Sequence, residues 1–169
     1  MAEIGWEADI ASSALPCDSL SMNSSPAIEA AKHFLSVVWE GDKPGDEILL
    51  AALDRLVAAY HVTPSGDVSD PDVDTPRQDG AFLYAEVAAR FPDFGTYPVA
   101  NPAKSLDDAL MVADAIDDLA DLTLDMREAV WFAEHVSLDD AHFAFRLHFS
   151  HWGQHARELS LYLCGRLFG

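Results

Sequence analysis

The chain has 169 residues, half of them hydrophobic, and 29 Asp and Glu against 10 Lys and Arg give it a formal charge of −19. That length suits one domain with a real core, and the apolar content excludes a disordered chain despite the charge. Nucleic acid and anionic membrane surfaces are disfavoured as partners, because affinity for them comes from Lys and Arg neutralising phosphate; cations and basic protein partners are favoured by the same field.

Residues 1–24 are rich in Ser and Ala and poor in periodicity, which predicts a flexible tail ahead of a single domain over 25–169, with Met22 as an alternative start. Glu3, Glu7 and Asp9, with no early Lys or Arg, do not read as a secretory signal, and no apolar run approaches the ~18 to 20 residues that cross a bilayer. Cys17 and Cys164 sit near opposite ends of the chain, so two reduced thiols in a cytoplasmic protein are expected.

From Ser25 the pattern is helical. Ser25-Pro26 supplies an N-cap and a Pro at the first helical position; Ile28, Ala31, Leu35 and Val38 mark one face, and Gly41 ends the helix. A second helix starts near Asp46, carries Leu49, Leu53, Leu56 and Tyr60, and stops before Pro64. Residues 61–75 read as an acidic loop. Its Asp70-x-Asp72-x-Asp74 run has the start of a calcium loop, but Thr75 stands where the sharp turn needs Gly and Ala81 where Glu belongs, so a solvated loop is expected. Thr75-Pro76-Arg77-Gln78 reads as a capping box for a third helix, which carries Ala81, Phe82, Ala85 and Ala89 and ends at Phe91-Pro92. The aromatic, Pro-rich connection with Phe94, Tyr97, Pro98 and Pro102 either packs over a core edge or lines a ligand mouth.

Ser105-Leu-Asp-Asp-Ala109 recurs as Ser137-Leu-Asp-Asp-Ala141, and each reads as a helix start with a Ser cap and an Asp closing the box. Two long helices, roughly 105–135 and 137–168, are predicted to form an antiparallel αα-hairpin. No alternating apolar run bounded by turns is evident, so the fold class is all-α: a five- to six-helix bundle ending in that hairpin.

Two stripes could carry chemistry. The fourth helix sets Asp114, Asp117, Asp118, Asp121 and Asp125 within an arc of about 100°, opposite an apolar face of Ala109, Val112, Ala113, Ile116 and Ala120. Such carboxylates are expected to be solvated, although with no basic neighbour they repel one another in a way that a cation relieves. The last helix repeats Leu138, Ala141, Phe145, Phe149, Trp152, Ala156, Leu159 and Leu163 along one face, with Phe143, Leu147 and Leu161 opposite, the mark of a central or interface helix. His148, His151 and His155 fall within about 60° beside the main face. They read either as hydrogen-bonded structural anchors or as metal ligands, with His151 and His155 joined by Asp118 or Asp121. All three on one ion is disfavoured, since His148 and His155 are about 10 Å apart along the axis. Neither Glu-x-x-His nor HExxH occurs, and no G-x-S-x-G elbow supports covalent catalysis.

Two segments, Ile116-Asp-Asp-Leu-Ala-Asp-Leu-Thr-Leu-Asp-Met-Arg-Glu128 and Phe145-Arg146 through His151-Trp-Gly-Gln-His155, resemble an uncharacterised bacterial all-helical family known as domain of unknown function 5063. The resemblance spans roughly 26–168 and implies a helical fold; it brings no established activity, cofactor or catalytic residues. Taken together, the residues predict a non-enzymatic, cytoplasmic helical binding module. Its polar cluster of His148, His151, His155, Asp117, Asp118, Asp121, Asp125 and Arg146 would anchor the last helices, and a homodimer would form through the second apolar side. The rival readings are the metal site and a small-molecule pocket walled by Phe94, Tyr97, Trp131 and Trp152.

Overall fold

The computed structural model describes residues 25–76, 78–105, 107 and 110–169. The predicted tail, residues 1–24, lies outside them. Within the described residues the fold is mainly helical, and no helix is long and apolar enough to cross a membrane.

Pro26 opens α1 (Pro26–Trp39), whose buried face is Ala27, Ile28, Ala31, Phe34 and Val38. Ser25 holds the cap position, yet its hydroxyl is hydrogen-bonded to His142 Nε2 at 2.6 Å and not to the helix's own amides. Gly41, at φ +61, turns the chain towards α2 (Asp46–Val62), in the left-handed region that glycine enters without strain. The third helix begins later than the capping box suggests: α3 is Gly80–Arg90, capped by Asp79, which accepts the Phe82 N–H at 3.1 Å. The Gln78 side chain, expected to close that box, instead accepts from Arg127 on its Oε1 at 3.3 Å.

The all-α expectation needs a correction. Residues Thr96–Ala100 form β1 and Leu110–Asp114 form β2, an antiparallel pair in which Tyr97 faces Ala113 and Val99 faces Met111. The helix predicted from Ser105 starts ten residues later, as α4 (Ala115–His135). Asp114 ends β2 and also caps α4, accepting the Ile116 N–H at 3.0 Å, so strand runs into helix without a loop. Leu110-Met-Val-Ala113 satisfies either periodicity, and pairing with Thr96-Tyr-Pro-Val99 decides it, since Thr, Tyr and Val suit a half-buried strand.

The predicted final helix is also two. Ser137 accepts the Asp140 N–H at 3.1 Å and starts α5 (Leu138–Leu147); His148 interrupts, and α6 runs Phe149–Phe168. The Trp152 indole donates to the Phe145 carbonyl oxygen at 2.8 Å, an oxygen that an unbroken helix would give to the amide four residues on. The fully buried Trp152 thus marks the break, packed on Phe145, Phe149 and Tyr60.

The helices share one core. Leu49, Leu53 and Leu56 of α2, Leu119, Leu122 and Met126 of α4, and Leu159 and Leu163 of α6 are all at most 1% exposed. α4 is the hub: α1, α3, α5 and α6 all pack on it.

Gly153 gives a test of this packing. A Cβ there would meet Phe149 Cε2 at 2.6 Å, and that ring cannot swing away, being stacked on Tyr60 with centroids 3.4 Å apart and covered by the Arg157 guanidinium. Gly153→Ala should therefore destabilise by about 1–3 kcal/mol from overpacking, outweighing the helix-propensity gain of up to ~1 kcal/mol. Urea unfolding checks this, and a more stable variant would contradict it.

Candidate functional site at the α4–α6 interface

The Asp stripe does not point wholly into solvent: Asp117 is exposed, but Asp118 is buried and Asp114, Asp121 and Asp125 are half-buried. Its phase was set in part by Ala109, Val112 and Ala113, two of which belong to β2 and not to the helix. The buried face of α4 is instead Ala115, Leu119, Leu122, Met126 and Ala129, with Asp118 among them at 2% exposure. Asp121 and Asp125 follow at i+3 and i+7, on the flank where α6 packs.

The two helices meet with opposite polarity, so ascending acids on α4 face descending histidines on α6. Asp118 Oδ1 receives His155 Nδ1 at 2.6 Å. Asp121 Oδ2 lies 3.4 Å from the Nε2 atoms of both His155 and His151. Asp125 receives His151 Nδ1 at 2.9 Å on Oδ2 and faces His148 Nδ1 at 3.3 Å with Oδ1. A carboxylate only accepts, so the hydrogen of each such bond sits on Nδ1. The His151 and His155 rings stand edge to face, centroids 4.7 Å apart.

Asp118 uses its second oxygen to accept the Tyr97 hydroxyl from β1. Burial, then this hydrogen bond, pushes the Tyr97 phenol well above its ordinary range, so it stays a donor. Asp118 also sits in the first turn of α4, where the helix dipole favours negative charge. The hydrogen bond to Asp118 raises the His155 pKa against the opposing effect of burial, and the hydrogen bond to Asp125 raises that of His148 in the same way. Burial is the main cause of the raised Asp121 pKa, with the imidazoles opposing it.

Asp121, His151 and His155 present one ligand atom each within 4.8 Å of one another, half-buried, exposed and half-buried respectively. Asp118, expected as a ligand, orients His155 from behind. Asp117 is exposed and lines a cleft beside His155 with Asp114, Gln154 and Glu158. Arg146 leaves the predicted cluster: it donates to the Tyr60 and Thr63 carbonyl oxygens at 3.1 and 2.9 Å and lies over the Tyr60 ring. The loop aspartates are exposed, with Asp70 accepting the Asp72 N–H at 3.0 Å. The four proposed pocket aromatics do not share a cavity. Phe94 and Tyr97 pack on Tyr162, Trp152 is in the core, and Trp131 stacks on His135. Sequence reasoning missed Tyr97 as the partner of Asp118, because nothing local links β1 to the first turn of α4.

No family model matches the chain, and no curated protein matches it. Among solved structures it is similar to that of protein BF1032 from Bacteroides fragilis, a structural-genomics target. The likeness has a TM-score of 0.63 at 15% identity and covers 89% of this chain and 98% of that one. It is a likeness of fold.

The pH dependence of the site has a definite sign. His155 and His148 have folded pKa values above the ordinary imidazole value near 6.5, so their contribution to stability is complete below that value and is lost as pH rises through the higher folded values. Metal-free protein should therefore lose stability as pH rises above the ordinary imidazole value, and His155→Ala should flatten that profile while destabilising by about 1–3 kcal/mol through the unpaired buried Asp118. His151, half in solvent, should cost less on truncation. Chemical denaturation across this range checks both; an unchanged slope in the His155 variant would contradict the assignment.

Proposed function

We propose that the protein binds a divalent transition-metal ion between α4 and α6. The ligands are Asp121 Oδ2 and the Nε2 atoms of His151 and His155, and Asp118 and Asp125 fix the two rings. One observation carries the reading: both Nδ1 atoms are held by carboxylates, while both Nε2 atoms lie 3.4 Å from the same Asp121 oxygen. Carboxylates behind metal-bound histidines set the tautomer and ring orientation in this way. Tetrahedral bonds of about 2.0–2.1 Å place neighbouring ligand atoms about 3.3–3.4 Å apart. Two imidazoles and one carboxylate favour zinc-like ions over calcium or magnesium, and three protein ligands leave a position for water or a further ligand.

The ligands fall within the two segments on which the resemblance to the uncharacterised helical family rests, and we read the chain as a relative of it. We take the protein as a cytoplasmic binding module built on a helical bundle, with α4 against α5 and α6 as a kinked antiparallel hairpin. The acidic, cysteine-poor composition supports that reading. Isothermal titration of chelator-treated protein with zinc should give near-stoichiometric binding. His151→Ala and Asp121→Asn should each weaken it at least tenfold, and Asp125→Asn by roughly 10–100-fold. Wild-type binding no tighter than that of a protein carrying both His151→Ala and Asp121→Asn would overturn the assignment.

A second reading has its own observation. Leu161 is about three-quarters exposed beside an apolar groove between Val99, Ala100 and Met111 of the hairpin and α6, bordered by Arg157, Glu158 and Arg166. A second copy of the chain is the occupant we propose, and Leu161→Glu should then convert a dimer to a monomer. A monomer mass for the wild type by light scattering at micromolar concentration would end that reading.

A further inference from the structure

The metal ligand His155 is wired to the β-hairpin. Tyr97 is the residue of β1 that turns inward, 7% exposed between the exposed Thr96 and Pro98, and its ring stacks on Tyr162 of α6 with centroids 4.7 Å apart. Its hydroxyl donates to one oxygen of Asp118, and the other oxygen of Asp118 holds His155 Nδ1. Each oxygen thus takes one donor, one from the sheet and one from α6. Asp118 itself follows β2 by four residues, with no loop between strand and helix.

Elsewhere the hairpin is held at its base and along its inner side: the Ala115 N–H donates to the Gly95 carbonyl at 3.2 Å, the Tyr84 hydroxyl donates to Asp114 at 2.8 Å, and Val99 and Ala113 pack half-buried on the core, while Leu110, Met111 and Val112 are exposed. Along its inner side a groove opens between Val99, Met111 and Ala100 of the sheet and Leu161 and Tyr162 of α6. A two-stranded hairpin has little stability of its own, so its order depends on such attachments.

We propose that Tyr97 and Asp118 couple the His151–His155–Asp121 site to the hairpin, so that an ion in the site fixes β1 against α6 and sets the groove between them. The inference rests on the metal-binding reading above. An ion on Nε2 leaves His155 a single hydrogen, on Nδ1, and that hydrogen must point at Asp118. The ring then holds Asp118 in the rotamer that accepts the Tyr97 hydroxyl. Coupling between two sites is reciprocal, so the Tyr97 hydroxyl in turn favours the ion. Tyr97 and Asp118 are positioning residues: neither touches the ion.

Hydrogen exchange of the full chain, with and without one equivalent of zinc, tests this. Zinc should slow exchange of the amides in 96–100 and 110–114 several-fold, together with the facing turns of α4 and α6. Tyr97→Phe keeps the stacked ring and loses the hydroxyl. It should bind zinc about tenfold more weakly, as outer-shell losses do, and show protection in α4 and α6 without the added protection of the hairpin. Zinc binding that leaves hairpin exchange unchanged in the wild type overturns the coupling alone, and so does full hairpin protection in Tyr97→Phe. Failure of the wild type to bind zinc overturns the metal reading and this inference with it. The wild-type comparison stands whether or not the variant folds.

Discussion

Asp118 is a carboxylate withdrawn from water at the first turn of α4, and an ion in that position costs several kcal/mol unless its oxygens are met. Three things meet them: the Tyr97 hydroxyl, the Nδ1–H of His155, and the positive end of the helix that carries it. Each compensation constrains a different part of the molecule. Tyr97 must face inward, which sets the face of β1 and, through the pairing with Ala113, the face of β2. His155 must lie over the first turn of α4, which brings α6 in along the acidic flank with opposite polarity. The rest of the ladder, Asp121 and Asp125 against His151 and His148, follows from that placement.

The same placement reconciles two readings that look opposed. His151 and His155 meet α4 carboxylates through Nδ1 and turn Nε2 towards Asp121, so on the proposed reading one ring serves as scaffold and site at once. The acidic field works in both directions too. It holds His148 and His155 in their protonated forms to higher pH than usual, and in the proposed site it would draw a cation to the Asp121 oxygen on which the Nε2 atoms converge. The protonated rings offset the charge of the stripe, a role that the proposed ion would take over.

Much of this was legible in the residues. The spacings of Leu49, Leu53 and Leu56 and of Trp152, Ala156, Leu159 and Leu163 place core faces that the structure buries. His151 and His155, with an Asp of the fourth helix, come together as the i,i+4 spacing allows. The errors have local causes. Leu110-Met-Val-Ala113 fits strand and helix alike, and only its long-range pairing with β1 decides between them. Taking those residues as helical set the phase of the Asp stripe wrongly, so a buried flank read as a solvated one. The break at His148 follows from an indole donating to a backbone carbonyl, a competition that periodicity does not record. Tyr97 could not be assigned because its partner is fixed by packing alone.

Which imidazole nitrogens carry hydrogen decides between a metal site and a purely structural ladder, and nitrogen-15 NMR of the histidine side chains reads this directly. With one equivalent of zinc, His151 and His155 should both show a protonated Nδ1 and a metal-shifted Nε2, while His148 does not take up the ion. Zinc on Nδ1 of either ring, or Nε2 resonances that stay unchanged, would contradict it.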